Sequence, residues 1–346
     1  MKAEYFVGLD IHKKSWVVAI VCQQEAIFRS RIDSNVQTLF SVLAKNSVMP
    51  NNSIFVYEAG SFGYSLYDDL TNRGYQGIVV SPTQIPSEPG DRVKTDFRDS
   101  LDLAVKLEAG MLRGIYIPSL KQRAVRDLSR TRWQLFRQRT SLIRQVKSKL
   151  LFQGIPYPDK GWSKKLRDFI LSIEMDSTHK QAITHLIETL DHIEKRLSRI
   201  EQHLHQTLIR EGYATQLALL RTIPGIGTRT AEVFITEIGD FKRFPDAEHL
   251  TSYLGLTPVE YSSGEKVIRG PISHRGNPRV RQTLIEAAWT TVRIDPRMRM
   301  HYNRLSKRIG SRKAIIACAR KLIHIMYRML ITGEVYRSEK SATIVH

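Results

Sequence analysis

The fold of the N-terminal part is indicated first by residues 5–32, YFVGLDIHKKSWVVAIVCQQEAIFRSRI. It contains three short runs rich in β-branched and aromatic residues, at 5–9, 16–22 and 26–32, and the polar turns HKKS and QQE separate them. Apolar runs of this length between polar turns are typical of strands that pair in an antiparallel meander. The stretch therefore predicts three consecutive antiparallel strands.

The sequence after this meander alternates between helix and strand patterns. Residues 35–45 have helical spacing, 54–57 resemble a strand, 63–73 a helix and 77–81 another strand. A loop with three prolines then leads to a helix over about 96–112. The order βββαβαβα predicts an α/β domain in which helices flank a mixed sheet.

Four carboxylates fall at the ends of these elements. Asp10 closes the first strand, Glu58 closes the fourth, and Asp96 and Asp99 open the last helix on one face. If the strand ends meet at one edge of the sheet, these groups repel one another unless a divalent cation lies between them. Such a set can hold the two metal ions of phosphoryl-transfer chemistry. Asp102, one turn deeper along the helix, is a further candidate.

Taken singly, these acids have simpler interpretations. An Asp at the end of a strand is usually a turn or cap residue. Asp96 could be the N-cap of its helix, with Asp99 at the position that a capping box uses. The combination of fold order, acid positions and a basic remainder of the chain favours the ribonuclease-H-like, RuvC-type nuclease pattern.

The charge of the chain is divided unevenly. The 346 residues include 53 Lys and Arg against 34 Asp and Glu, a net charge of +19. Residues 1–117 are nearly neutral, so the whole excess lies in residues 118–346, with the densest runs at 118–150 and 269–328. This concentration favours a polyanionic partner, because each contact between a cation and a phosphate releases counterions. A solvated surface is the alternative.

Composition excludes several classes of protein. With 42% hydrophobic and 25% charged residues the chain is an ordinary globular one, expected to form two or three domains. No run of eighteen apolar residues and no secretory signal are present, so we expect a cytoplasmic protein without a membrane span. Cys22 and Cys318 lie far apart, which argues against a disulfide framework or a zinc site.

The middle of the chain is predicted to be helical. A basic helix runs from Pro118 to about residue 153, and a Pro- and Gly-containing linker follows at 155–165. Beyond it, apolar residues from Leu186 to Leu204 recur at alternating steps of four and three, the spacing of a coiled-coil seam. This seam could pair with the basic helix of the same chain or with another subunit, and the sequence leaves both open.

Two glycines mark a motif at the start of the C-terminal part. In residues 219–239, LLRTIPGIGTRTAEVFITEIG, Gly225 and Gly227 lie in a turn between two helix-like stretches. Glycines permit a tight turn and let backbone N–H groups approach an anion at a helix start. The segment resembles a helix-hairpin-helix element that grips the nucleic-acid backbone. A plain turn between two helices is the alternative.

Residues 253–289, YLGLTPVEYSSGEKVIRGPISHRGNPRVRQTLIEAAW, resemble the C-terminal signature of the DEDD insertion-sequence transposases. That family includes the Piv DNA invertase and the bridge-RNA-guided recombinases. The N-terminal pieces agree: GLDIHK, YEAG and RVKTDFRDSLDLA contain the four acids above. The resemblance covers nearly the whole chain. This sequence differs from the family pattern at two positions: Ser100 stands where the family usually has Ala, and His274 stands where it usually has Lys.

The resemblance implies three domains and a composite active site. Residues 1–117 would be a RuvC-like (RNase H-like) domain, 118–215 the basic helix and coiled coil, and 216–346 a mainly α transposase domain. In the family the DEDD carboxylates, here Asp10, Glu58, Asp96 and Asp99, bind Mg²⁺, for which Mn²⁺ could substitute. A nucleophilic serine is carried over to Ser263, with Ser262 as the alternate. The metal site and the serine would meet across subunits of an oligomer.

From sequence alone, Ser262-Ser263-Gly264 would be called a turn. A serine hydroxyl is a poor nucleophile that needs a base or a metal to activate it. The expected function is a Mg²⁺-dependent serine recombinase of an insertion element. It would act on double-stranded donor and target DNA as a dimer or tetramer, guided by a noncoding RNA from the same element.

Three other functions fit parts of the sequence: a RuvC-like junction resolvase or nuclease without serine chemistry, a non-catalytic nucleic-acid-binding protein, and, ranked last, an actin-like sugar kinase or ATPase. Several residues are candidates for nucleic-acid contact: Arg130, Arg132, Arg137, Gly225, Gly227, Arg269, Arg275, Arg279 and Arg281. For the arginines that flank the serine motif, a solvated surface is the alternative.

Overall fold

The computed structural model describes residues 3–60, 62–86, 95–157, 161–263, 266–273 and 276–337, without the side chains of residues 260–269. The chain divides into two compact units, Met1–Ile117 and Pro118–His346.

The described part of the first unit is built on a five-stranded mixed sheet. Its strands are β1 (Tyr5–Ile11), β2 (Ser15–Cys22), β3 (Glu25–Asp33), β4 (Ser53–Glu58) and β5 (Gln76–Val80), in the order β3-β2-β1-β4-β5. β1, β2 and β3 form the predicted antiparallel meander, and β4 and β5 extend the sheet in parallel with β1. The predicted strands, the antiparallel meander and the mixed sheet are confirmed.

The described residues of this unit also form three α-helices: α1 (Val36–Lys45), α2 (Ser65–Asn72) and α3 (Asp96–Glu108). The side chain of Asn35 caps α1 by accepting from the backbone N–H of Gln37 at 2.7 Å. The order βββαβαβα is therefore confirmed. α3 ends earlier than predicted, because Gly110 adopts a φ of +68° just beyond it, a conformation that commonly ends helices.

The centre of the sheet and α3 meet at Gly8. A β-carbon at Gly8 would lie 2.0 Å from the carbonyl oxygen of Ser100 and 2.8 Å from the backbone nitrogen of Ala104. Ser100 is fully buried, and its hydroxyl donates to the carbonyl of Phe97 at 3.3 Å, so this buried hydroxyl has a hydrogen-bond partner. A side chain at position 8 therefore does not fit between β1 and α3 unless the backbone shifts.

The second unit begins with α4 (Leu120–Phe152), α5 (Lys164–Ser172) and α6 (Ser177–Arg210). α4 packs along α6: Val146 and Leu150 share one apolar cluster with Ile183 and Ile187. The predicted seam residues are buried from Leu190 to Leu204. The seam is thus covered within the chain, which favours the intramolecular alternative. The sequence did not predict α5, a helix of nine residues that begins inside the expected linker.

The rest of the second unit is mainly helical. Its described residues form α7 (Ala214–Arg221), α8 (Thr228–Ile238), α9 (Ala247–Tyr253), α10 (Pro278–Ile294), α11 (Pro296–Ile309) and α12 (Ser311–Thr332), and the antiparallel pair β6 (Pro258–Ser263) and β7 (Lys266–Ile272).

One apolar core joins both segments of this unit. Val125 of α4 and Leu208 of α6 share a cluster with Phe234, Leu284 and Leu322. Residues 118–215 and 216–346 therefore lie in a single compact unit. Their division into two domains stays a prediction about independent folding. No helix within the described residues is long and apolar enough to cross a membrane.

Substitution of Gly8 tests the crossing of β1 and α3. We expect Gly8→Ala to lower the free energy of unfolding by about 1–3 kcal/mol, the usual cost of overpacking. Pulse-labelling hydrogen exchange across a urea series, read on peptides from β1 and α3 of the full chain, measures this change. Gly60→Ala is the control, because its β-carbon would meet only the carbonyl oxygen of Glu58, at 4.0 Å. Equal stability of the two variants would contradict the tight crossing.

Candidate active site

The four predicted acids line one cavity of the first unit. Leu9 of β1 pairs with Tyr57 of β4, so the residues that follow, Asp10 and Glu58, emerge at the same edge of the sheet. α3 adds Asp96 and Asp99 from its first turn. The cavity has a volume of about 270 Å³ and is lined by Asp10, His12, Glu58, Thr95, Asp96, Asp99 and Leu103.

The simpler interpretation of the helix acids does not hold. Thr95 is the N-cap of α3, and its hydroxyl accepts from the backbone N–H of Arg98 at 3.4 Å. Asp96 is the first residue of the helix and Asp99 the fourth, so neither occupies its capping-box position. Helix capping therefore does not explain why Asp96 and Asp99 stand at these two positions.

The residues of the cavity fit a divalent cation. Asp10, His12 and Asp96 each offer one ligand atom, and these three atoms all lie within 4.8 Å of one another. His12 Nε2 lies 3.0 Å from Asp10 Oδ2 and 3.7 Å from Asp96 Oδ1. Carboxylate oxygens are the ligands that Mg²⁺ and Mn²⁺ prefer.

An arginine offsets part of the negative charge here. Arg31 of β3 donates to Asp96 Oδ2 at 2.9 Å and to Ser15 Oγ at 2.9 Å. Val17 pairs with Asp10 on one side and with Arg31 on the other, which brings the two residues toward the same edge. A nearby cation reduces the repulsion among carboxylates.

Sequence reasoning missed both His12 and Arg31. His12 could have been found, because it follows Asp10 by two residues, the spacing that returns side chains to one face of a strand. Arg31 carried no usable signal, since its position follows from the register of three strands.

Asp102, the fifth acid of the prediction, lies apart from the lining of the cavity. Its carboxylate accepts from Lys106 Nζ at 2.5 Å, one turn along α3. Among the described residues, Asp102 is therefore part of a helix ion pair.

The two serines of the motif lie at the end of β6. Ser262 and Ser263 are the last two residues of β6, and Ser263 pairs with Lys266 of β7. Arg269 lies on β7, in register with Glu260. Their side chains, and both His274 and Arg275, lie outside the described part of the chain.

The prediction of nucleic-acid contact is wrong for three arginines, because their side chains are buried: Arg132, Arg279 and Arg281. Arg132 forms an ion pair with the buried Glu232. Arg281 donates to the backbone carbonyls of Leu254 at 3.1 Å and Gly276 at 2.5 Å. Guanidinium groups engaged inside the protein in this way hold helices and turns together and are not presented to DNA.

Arg279 is the most enclosed of the three. It donates to Glu237 Oε1 at 3.0 Å and to the carbonyl of Ser129 at 2.8 Å. Burial lowers the pKa of Arg279 to about 10, and the carboxylate of Glu237 opposes that shift. Removing one partner of such a buried ion pair typically lowers the free energy of unfolding by about 3–5 kcal/mol. Arg279 therefore stabilises the fold.

Two candidate arginines are more accessible. Arg130 is half-exposed and donates to both oxygens of Glu237, at 3.0 and 2.9 Å. Arg137 is exposed, and its guanidinium carbon lies 4.9 Å from the ring centre of Trp133. Arg137 therefore keeps its predicted role open, whereas Arg130 already serves a buried carboxylate.

The two glycines of the predicted helix-hairpin-helix have different surroundings. The turn between α7 and α8 exists as predicted, and Gly227 is the N-cap of α8, where an added β-carbon would meet no atom within 4 Å. Gly225 has a φ of +93°, and a β-carbon there would lie 2.6 Å from the backbone nitrogen of Thr291. Gly225 is thus required for packing against α10, which the sequence interpretation did not include.

Comparisons with known proteins agree with this arrangement. A family model described as the transposase IS116/IS110/IS902 family matches residues 217–303, and a model of DEDD transposases of the IS110 type matches residues 7–154. The second match contains the four acids, and the first contains the serine motif.

Full-length relatives extend the likeness to the whole chain. A protein of Sinorhizobium fredii named "Putative transposase y4qE" is 31% identical over 99% of this chain and 84% of its own length. The transposase for insertion sequence element IS1328 of Yersinia enterocolitica is 26% identical over 95% of this chain and 98% of its own. That for IS1533 of Leptospira borgpetersenii is 26% identical, over 84% and 86%.

The sheet order β3-β2-β1-β4-β5, the acidic cavity and these matches lead to one conclusion. The chain belongs to the IS110/IS116 family of DEDD insertion-sequence transposases, enzymes that cleave DNA and transfer its strands.

Proposed function

We propose that this transposase cuts and rejoins DNA with a divalent metal site at Asp10, Glu58, Asp96 and Asp99 and with Ser263 as nucleophile. The observation that carries the metal part is the convergence of the four carboxylates on one cavity. Mg²⁺ is the proposed ion, with Mn²⁺ as a substitute, because the ligand set is dominated by carboxylate oxygen. The serine part rests on the resemblance of residues 253–289 to the family signature.

In the proposed reaction Ser263 Oγ attacks a DNA phosphorus. The new oxygen–phosphorus bond forms as one phosphodiester bond breaks, the serine proton passes to a base, and a DNA hydroxyl end is released. That or another hydroxyl end then attacks the phosphoserine, which releases Ser263 and rejoins the strand. When bound, the metal ions would activate the nucleophile and stabilise the leaving oxygen. The carboxylates hold those ions in place.

A serine-to-alanine substitution tests the covalent step. We expect Ser263→Ala to abolish strand exchange and the detergent-resistant protein–DNA adduct, because no hydroxyl remains to form the bond. Mass spectrometry of the trapped peptide measures the phosphoserine, and Ser262→Ala is the matched control that should keep the adduct. Full strand exchange by Ser263→Ala would instead support a nuclease in which the carboxylates direct attack by water or a DNA end.

Replacing the acids separates an enzyme from a purely architectural protein. Asp99→Asn should abolish cleavage, since it weakens the metal site, while DNA binding in EDTA stays unchanged. Unimpaired cleavage by Asp99→Asn and by Asp10→Asn would contradict the metal site.

We also propose that a noncoding RNA of the same element guides a homo-oligomer of this protein to its DNA sites. The family resemblance and the polyanion-binding charge of the chain, +19, support this proposal. Sequencing of nucleic acid that co-purifies with the expressed protein, together with its flanking noncoding region, should recover one discrete RNA. Recovery of only random cellular RNA would contradict the guided mechanism.

A further inference from the structure

We propose that the corner between α11 and α12 is a docking surface for the phosphate backbone of duplex DNA. This surface acts in DNA binding and does not depend on the serine step. Arg132, Arg279 and Arg281 are buried, so the excess positive charge must face solvent elsewhere.

The corner exposes cations on two consecutive helices. α11 ends at Ile309, Gly310 turns the chain with a φ of +77°, and α12 begins at Ser311. Exposed cations lie on both sides of this turn: Arg304, Lys307, Arg308, Arg312 and Lys313. Among the described residues none of these five forms an ion pair with a carboxylate.

The sequence of α11 and α12 contains no acidic residue. Residues 296–333 contain ten Lys and Arg and no Asp or Glu. The preceding acid, Asp295, is buried, and its carboxylate accepts from the backbone N–H groups of Arg297 and Met298 and from the hydroxyl of Tyr336. Its charge caps α11 and is not presented at the surface.

The pKa of a histidine on α11 is affected by the positive charges near it. The pKa of His301 on α11 is lowered, chiefly by burial and further by the charges of Lys321 and Arg304. The contributions of Lys321 and Arg304 to this shift agree with a local concentration of positive charge, as a polyanion-binding surface requires.

The spacing of the cations fits a duplex. Arg304, Lys307 and Arg308 stand at i, i+3 and i+4 on one face of α11, spanning about 6 Å of helix axis. B-DNA presents one charge per about 1.7 Å of its axis, so several phosphates face such a span. Since the family's substrate is DNA, we assign this surface to duplex DNA rather than to RNA.

The test is the salt dependence of DNA binding. The triple variant R304Q/K307Q/R308Q should reduce the slope of log K against log salt for a fluorescent duplex by about 2–3, since each lost phosphate contact removes about 0.9. Binding is measured by anisotropy in EDTA with the full chain, so failure of the catalytic proposal would not affect the result.

A matched control removes the same charge from α6. Lys195, Arg196 and Arg199 are exposed on a helix that also carries Glu188, Asp191 and Glu194, so K195Q/R196Q/R199Q should leave the slope unchanged. Equal slopes for wild type and the α11 variant would overturn the proposal. Loss of binding to structured RNA, with duplex binding intact, would overturn it in favour of an RNA surface.

A different observation, at the acidic cavity, carries a second inference, which rests on the proposed metal site. We infer that His12 is a nitrogen ligand of the bound cation. Its Nε2 lies within hydrogen-bond distance of Asp10 Oδ2, at 3.0 Å, and 3.7 Å from Asp96 Oδ1. These are the three residues whose ligand atoms converge within 4.8 Å. An imidazole ligand favours Mn²⁺ over Mg²⁺ more than a purely carboxylate site does.

Pulsed electron paramagnetic resonance of Mn²⁺ bound to the full chain, without DNA, tests this role. Wild type should show the nitrogen coupling of one imidazole, and His12→Gln should lose it, whereas His301→Gln in the second unit should keep it. Bound Mn²⁺ without nitrogen coupling, or coupling that persists in His12→Gln, would overturn this inference alone. Absence of Mn²⁺ binding would contradict the metal site itself.

Discussion

At Gly8 the backbones of β1 and α3 approach so closely that no side chain fits between them. This contact fixes the first turn of α3, with Asp96 and Asp99, against the end of β1, with Asp10. The parallel pairing of β1 with β4 then adds Glu58. A cluster of carboxylates is electrostatically unfavourable, so packing elsewhere must hold it together. In this unit the crossing at Gly8 and the sheet register provide that constraint.

The second unit separates its charges by burial. Arg279 and Arg132 pair with Glu237 and Glu232 inside the helical core, where they stabilise the packing of α4, α8 and α10. The corner of α11 and α12 instead carries cations that face solvent without acids beside them. The basic residues behind the net charge of +19 therefore have two roles in this chain. Part of it is structural, and the exposed part is available for phosphate.

Sequence patterns predicted the elements well where local signals were strong. Short runs of β-branched and aromatic residues between polar turns predicted the meander, and the positions of Asp10, Glu58, Asp96 and Asp99 at element ends predicted the carboxylate cluster. The burial of individual arginines was not predictable from sequence. Arg279, for example, pairs with Glu237, which lies far from it in the sequence and on another helix. The same limit hid Arg31, whereas His12 was visible in the spacing beside Asp10. Gly225 was identified as a turn glycine, yet its contact with Thr291 required the tertiary fold.

The acids of β1, β4 and α3 are proposed to form one metal site. X-ray diffraction from crystals of the protein grown with Mn²⁺, recorded near the manganese absorption edge, shows whether they do. We predict an anomalous peak bounded by the carboxylates of Asp10, Glu58, Asp96 and Asp99. An empty cavity in crystals that hold Mn²⁺ at other sites would contradict the account.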